Sequence, residues 1–356
     1  RRKIYQELLQ WKQRSGESAL LVQGARRVGK SYIVEAFAKA EYKSYILIDF
    51  NLVDQPVKEM FEHDLVDLKT FFMKLTTYYG VKLYERESLI IFDEVQLFPR
   101  ARSAIKYLVA DGRYDYIETG SLISIRENVK DILIPSEEDH VDMYPLDFEE
   151  FLWANGNDTM MDFIRDCYRK KAPLGQALHR KAMDLFRQYL IVGGMPQAVN
   201  AFVKHNDFDE VDRVKRRILN LYRDDIRKHA KGYEMKVEAI YDEIPSQMKN
   251  QNQHFKLSSL KQGARFDEYK DAMFWLSDAM IVNHCYNATE PTFGLNLNRD
   301  RTLLKCYMGD TGLLISHAFD ENGIVTGEVY KKLLLDKLEV NMGMVMENMV
   351  AQMLTA

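Results

Sequence analysis

Eight consecutive residues constrain this chain more than any others: Gly24-Ala25-Arg26-Arg27-Val28-Gly29-Lys30-Ser31, a G-x-x-x-x-G-K-S run. Gly24 and Gly29 let the backbone curl so that its N–H groups turn inward, as a phosphate requires. Lys30 supplies a positive charge suited to the β- and γ-phosphates, and the Ser31 hydroxyl suits Mg2+. Such a run works only between a strand and a helix. Leu20-Leu21-Val22 reads as that strand and Ser31 to Ala40 as that helix, whose positive end adds to the site. A glycine turn ahead of a surface helix is the plainer reading, and the flanking pattern argues against it. The expected nucleotide contacts are Gly24, Ala25, Arg26, Arg27, Val28, Gly29, Lys30, Ser31 and Tyr32, with ATP or ADP and Mg2+ as the ligands.

A matching half lies some sixty residues on. Leu89-Ile90-Ile91-Phe92 is an apolar strand ending in Asp93-Glu94. Asp93 is placed to hold magnesium and Glu94 to polarise a water, so Lys30, Asp93 and Glu94 are the expected catalytic residues and Ser31 and Asp93 the metal ligands. Thr119 and Ser121 follow a short strand at Tyr116-Ile117, next to the Asp93 strand in the usual layout. Either could sense the γ-phosphate; turn residues before a helix are the equal alternative. Glu118 is a charge at a strand end with no evident purpose. Arg26 and Arg27 lie inside the loop, where a guanidinium could stabilise developing charge, with solvated loop arginines the plainer reading, and Arg126 is the candidate arginine finger toward a neighbouring subunit.

With 356 residues the chain exceeds one compact core, so two or three domains are expected. A net charge of -4 leaves any attraction to nucleic acid or anionic membrane to a local patch. Cys167, Cys285 and Cys306 are far apart and unpaired in spacing, which fits a reducing cytoplasm rather than a zinc framework. No run is long and apolar enough to suggest a membrane span. The chain lacks an initiator Met and stops at Ala356 inside what reads as a helix, so trimming at both ends is expected.

The pattern changes along the chain. Up to Pro145, short apolar strands alternate with helices, including Tyr45 to Ile48, a helix from Arg102 to Ala110 and a last strand at His140 to Tyr144. That alternation predicts an α/β fold, a P-loop NTPase parallel sheet sandwiched by helices, over 1–147. Residues 148–235 read as a helical, lid-like region broken at Gly193-Gly194-Met195-Pro196. From Lys236 to about Tyr286 three helices and a strand predict a winged-helix-like module with bounds 236–300, and 301–356 reads as a partial α/β region with a strand at Lys305 to Met308.

With these residues in hand, the sequence resembles a family of prokaryotic AAA+-like P-loop ATPases fused to a C-terminal domain of unknown function. The matching segments are the glycine loop, Ile91-Phe92-Asp93-Glu94-Val95-Gln96 and Thr119-Gly120-Ser121, then Tyr144-Pro145-Leu146-Asp147-Phe148-Glu149-Glu150-Phe151, Gly193-Gly194-Met195-Pro196 and Met308-Gly309-Asp310-Thr311-Gly312-Leu313-Leu314. The resemblance implies a winged-helix-like module and a restriction-nuclease-like C-terminal part, whose first helix would carry Glu347. The later Asp and Glu-x-Lys elements of such a nuclease do not occur before Ala356. A Gly-Arg common in the family is replaced here by Ile134-Pro135-Ser136-Glu137-Glu138.

Two stretches invite a DNA reading. Arg213, Lys215, Arg216, Arg217, Arg223, Arg227, Lys228 and Lys231 could meet phosphates, but Asp212, Asp224 and Asp225 interrupt them, as in a salt-bridged solvated helix. The helix from Arg265 to Ala279 places Phe266, Tyr269, Met273 and Leu276 at core spacing, while its other face is net negative. Three readings follow: a cytoplasmic Mg-dependent ATPase acting as a switch or small motor, a nucleotide-gated scaffold for a protein partner or for self-association, and a DNA-associated ATPase coupled to a nuclease-like domain.

Overall fold

Five short runs become one parallel sheet in the computed structural model, which describes residues 1–14, 16–120, 136–250, 252, 254–290, 295–319 and 342–356. The chain separates into two compact units, Arg2–Met143 and Tyr144–Ala356, the second including Arg1.

In the first unit, α1 (Ile4–Gln13) leads to β1 (Ala19–Gly24), α2 (Lys30–Glu41) and β2 (Ser44–Asp49). Next come α3 (Gln55–Glu59), α4 (Leu68–Tyr79), β3 (Ser88–Asp93), α5 (Pro99–Asp111), β4 (Asp115–Gly120) and β5 (Glu138–Met143). The strands lie in the order β2-β3-β4-β1-β5, all parallel. This is the predicted P-loop NTPase sheet: the first four expected strands lie inside observed ones, and the last, expected at His140 to Tyr144, begins two residues earlier and ends at Met143. β4 separates β1 from β3, so the glycine loop and the Asp93 strand are both its neighbours.

Alternation along each strand divides the sheet into two faces. Ile46, Ile48, Ile90, Phe92 and Tyr116 join Phe50, Phe61, Phe71 and Phe72 in one buried cluster. Phe61 meets Phe71 at 5.1 Å and Phe92 at 5.5 Å, both edge to face. Burial of aromatic rings contributes about 1.5–3 kcal/mol each and clamps the end of β3. The residues between them, Ile91 and Asp93 on β3 and Ile117 and Thr119 on β4, belong to the other face.

The second unit is mostly helical: α6 (Phe148–Ala154), α7 (Met160–Lys170), α8 (Gln176–Val192), α9 (Pro196–His205), α10 (Phe208–His229), α11 (Glu234–Lys249) and α12 (Phe266–Asp278). β6 (Val282–Ala288) and β7 (Arg299–Met308) then pair antiparallel, followed by α13 (Thr311–Ala318) and α14 (Met342–Thr355). One predicted helix differs. The middle of the three expected over 236–286 is a single 3-10 turn, Leu257–Ser259, held by the Gln247 side chain, which donates to Ser259 Oγ at 2.8 Å and accepts from Lys256 N at 3.0 Å.

Three motifs of the second unit meet in its interior. The Gly194 carbonyl accepts from Leu146 N at 2.7 Å, and Asp310 accepts from Gly194 N through Oδ2 and from Leu313 N through Oδ1. A Cβ on Gly193 would stand 2.3 Å from Asp310 Oδ1, one on Gly194 2.0 Å from Leu146 O, and one on Gly312 2.4 Å from Val192 O. Close approach requires these glycines. Lys215 Nζ donates to Ile191 O at 2.7 Å and Gly312 O at 3.2 Å, and Gln352 joins Thr311 to the Tyr189 hydroxyl.

Among the described residues no helix is long and apolar enough to cross a membrane.

Candidate nucleotide site

β1 ends at Gly24, and α2 begins at Lys30 after five intervening residues. The loop between them turns through two left-handed residues, Arg27 (φ 72°) and Gly29 (φ 97°), the second being the N-cap of α2. Gly24 has no room for a side chain: a Cβ would lie 2.3 Å from the Met143 carbonyl of β5. Val28 and Ala25 are buried and anchor the loop, and Arg2 Nη1 donates to Val28 O at 3.2 Å.

Lys30 is 7% exposed and bends back over its own loop, donating to Gly24 O at 2.9 Å and Ala25 O at 3.0 Å. Burial pushes its ammonium down to about 8, against the pull of Glu94 and Asp93 in the other direction. Ser31 Oγ donates to Asp93 Oδ1 at 2.7 Å, and the Thr119 hydroxyl donates to the same oxygen. Asp93, Ser31 and Thr119 therefore converge from three elements, β3, α2 and β4. Thr119 Oγ1 also accepts from Glu94 N at 3.3 Å.

Glu94 leaves the sheet in a left-handed conformation, φ 54°, ψ 46°. For a residue with a Cβ this costs about 1–3 kcal/mol, and such strain concentrates at functional sites. The turn it starts, Val95–Leu97, brings Gln96 back so that its Nε2 donates to Glu94 Oε2.

On the opposite face of β4, Glu118 is fully buried. It faces the Arg102–Glu138 pair, whose Nη2–Oε1 distance is 2.7 Å, and His140 Nε2 lies 3.0 Å from the same Glu138 oxygen. Burial first, then the neighbouring Glu138 carboxylate, raises Glu118 well above the usual carboxylate range, so it is the protonated partner. Glu138 is held low by Glu118 and Arg102 against its own burial.

The structure thus brings Lys30, Ser31, Asp93, Glu94 and Thr119 together. Arg26, Arg27 and Tyr32 are exposed, Tyr32 at 78%, so any contribution from that trio comes through the loop's main chain or at its rim. Ser121 and Arg126 lie outside the described residues. Sequence reasoning missed Gln96 as the partner of Glu94, and Arg2 as a brace of the loop. Gln96 stood inside a quoted motif, whereas nothing local marks Arg2.

In sequence, residues 16–152 match the model of a family described as AAA domain, and residues 183–322 match one described as a domain of unknown function, DUF8612. No curated protein matches the chain. Similar solved structures include AMPPCP-bound DnaA from Aquifex aeolicus, at 12% identity over 94% of this chain and 92% of that one with a TM-score of 0.34. The RuvB Holliday junction branch migration motor of Thermotoga maritima is similar at 13% identity, 78% and 87% coverage and a TM-score of 0.33. PCH-2 of C. elegans is similar at 14% identity over 58% of this chain, with a TM-score of 0.32, and the match spans 63% of PCH-2. Scores at this level say nothing of activity or partner. Residues 16–152 are thus similar to the AAA domain family in sequence, and they carry a P-loop NTPase sheet with its glycine loop and acidic strand in register.

Proposed function

We propose that the first unit binds Mg-ATP and hydrolyses it, and that the nucleotide cycle makes the chain a conformational switch or small motor. One observation carries this reading: Ser31 Oγ and Thr119 Oγ1 converge on Asp93 Oδ1 beside Lys30, at the positive end of α2. The donor set fits magnesium, since Ser31 and Asp93 offer hard oxygens 2.7 Å apart. Ser31 and Asp93 would hold the ion, which when bound neutralises charge on the phosphates.

The remaining work falls to the chain's own groups. Loop N–H groups and the α2 terminus bind the phosphate oxygens. The Lys30 ammonium moves from the Gly24 and Ala25 carbonyls onto those oxygens, exchanging two main-chain bonds for charge-assisted ones. Glu94, with Oε2 fixed by Gln96, presents Oε1 to orient a water and take its proton. Thr119 ties the Asp93 carboxylate to the Glu94 main chain, so the metal and water positions move together.

In the second unit the order helix, turn, helix and antiparallel pair supports a winged-helix-like reading of α11 to β7. The basic residues of α10 support a salt-bridged helix over a DNA face: Arg216 pairs with Asp212, Arg223 with Asp242 and Arg227 with Glu238, and Lys215 is buried.

The test is Glu94→Gln, which keeps the shape of the side chain and removes its basicity. ATP affinity should stay within about threefold while steady-state turnover falls by about 100-fold or more. Wild-type turnover near zero would move the reading to a nucleotide-gated scaffold, and an E94Q rate equal to wild type would remove Glu94 from the chemistry.

A further inference from the structure

Several basic residues of α10 are tied up in ion pairs, but a second basic stretch of the same unit is largely unpaired. Five of the fourteen residues from Tyr168 to Lys181 are Lys or Arg and none is Asp or Glu, in a chain whose net charge is -4. The stretch covers the end of α7, the connection and the first turns of α8, and every residue in it except Leu174 is exposed.

Folding does not account for these charges. All three aspartates of α7 and α8 have partners within their own helix: Asp162 lies 3.5 Å from Arg165, Asp166 2.8 Å from Lys170 and Asp184 3.6 Å from Arg187. Among the described residues, Arg169, Lys171, Arg180 and Lys181 make no ion pair or side-chain hydrogen bond. Arg169 and Lys171 suit the negative end of α7. Arg180 and Lys181 have no such reason, because they follow the first turn of α8, where the helix end is itself positive and no acidic residue offsets it.

Tyr168 stands among these cations with 85% of its surface exposed, and among the described residues it makes no hydrogen bond or ring contact. Cations beside a solvated ring are what a single nucleic-acid strand uses, the charges for its phosphates and the ring for a base. Five residues link α7 to α8, so the helix ends stand within about 20 Å of each other, a span of about six stacked nucleotides. An anionic bilayer asks instead for a continuous apolar face. Here the large exposed apolar side chains are Tyr168 and Leu178, one on each helix.

We propose that the turn between α7 and α8 is a contact site for single-stranded nucleic acid, in which Arg169, Lys171, Arg180 and Lys181 meet backbone phosphates and Tyr168 stacks on a base. Such a site reads charge and the face of a base rather than sequence. It does not depend on nucleotide hydrolysis.

Fluorescence anisotropy on the full chain tests it, with labelled oligo(dT) and oligo(rU) of about twenty nucleotides. Saturable binding is expected, and its logarithm should fall against that of salt with a slope of about -3, as four phosphate contacts require. K171Q/R180Q/K181Q should weaken binding by about 30-fold or more and flatten the slope by about 2. Tyr168→Ala should weaken it by about tenfold with the slope unchanged, and Tyr168→Phe should restore it. All four positions are exposed, and an unchanged Tm checks that the variants fold. Binding of either strand supports the site, and the tighter one identifies the strand it serves. No saturable binding at about 0.1 M salt overturns the proposal, as does binding that the triple variant or Tyr168→Ala leaves intact. So does tighter binding of phosphatidylserine vesicles or polyglutamate than of either strand, which would give the patch to a membrane or an acidic protein.

Discussion

Each unit of this chain encloses a lysine whose ammonium is bonded to two main-chain carbonyls, and burial pushes both down to about 8. The difference lies in what surrounds them. Lys30 opens a helix, stands at the edge of the sheet and is faced by Asp93 and Glu94. Lys215 is inside a helix with no exposed surface, caps a last-turn carbonyl of α8, and is opposed by the buried Asp212 and Asp310. One lysine can exchange its carbonyls for a ligand; the other cannot leave without unpairing the interior. A perturbed lysine therefore marks a functional site only where its partners are replaceable.

Exchanging the roles of the two lysines is the sharpest way to break that comparison. Lys215→Ala should cost about 3–5 kcal/mol of stability, because it strands buried carbonyls and leaves Asp310 without its nearest cation. Chemical denaturation reads this, and ATP affinity of the folded fraction should hold within about threefold. Lys30→Ala should do the reverse, lowering ATP affinity by about 100-fold in calorimetric titration. Its change in unfolding free energy should stay within about 1 kcal/mol. Equal loss of stability in the two variants would erase the distinction.

Glycine substitutions sharpen it at a finer level. Gly312→Ala should destabilise by about 2–3 kcal/mol, since its Cβ would meet Val192 O at 2.4 Å and Gly193 N at 2.6 Å. Gly80→Ala, in open space at the end of α4 with φ +62°, should cost only about 1 kcal/mol. Thermal unfolding ranks the two, and a reversed order would sink the packing argument.

The smallest effect depends on pH. Because Glu118 titrates higher when folded, the unfolded chain releases this proton first, so stability falls as pH rises above the ordinary carboxyl value near 4.5. Glu138 works oppositely, adding stability that is lost as pH drops through its lowered value. Glu118→Gln should keep a neutral donor and remove the first loss. Relief of about 1 kcal/mol would raise Tm by about 2–4 °C at pH 8 and leave it unchanged at pH 4. A gain of the same size at both would show that ionisation is not the cause.

What could be read from sequence was whatever sits on contiguous residues. The glycine loop is eight neighbours between a strand and a helix, and each sheet strand is a short apolar run, so both were legible. Thr119 was legible from the usual strand order. Gln96 was not, because its bond to Glu94 exists only through the left-handed turn at Glu94. Glu118 had no local explanation, since Arg102 and Glu138 arrive from α5 and β5. Gly193-Gly194 was read as a turn between helices, and it is one. Its second purpose, admitting Asp310 from 116 residues further on, is invisible to any local pattern.

That long reach governs when each half of the molecule can form during synthesis. The first unit closes its sheet once Met143 has been made, and it is free to fold while the rest is still emerging. The second must hold the Gly194 N–H without its acceptor until Asp310 arrives, and the Tyr189 hydroxyl without its donor until Gln352 does, so it pays its loop-closure entropy late. A pause in translation between these stretches would leave the early helices exposed without their partners, and that interval is when this chain would most need a chaperone.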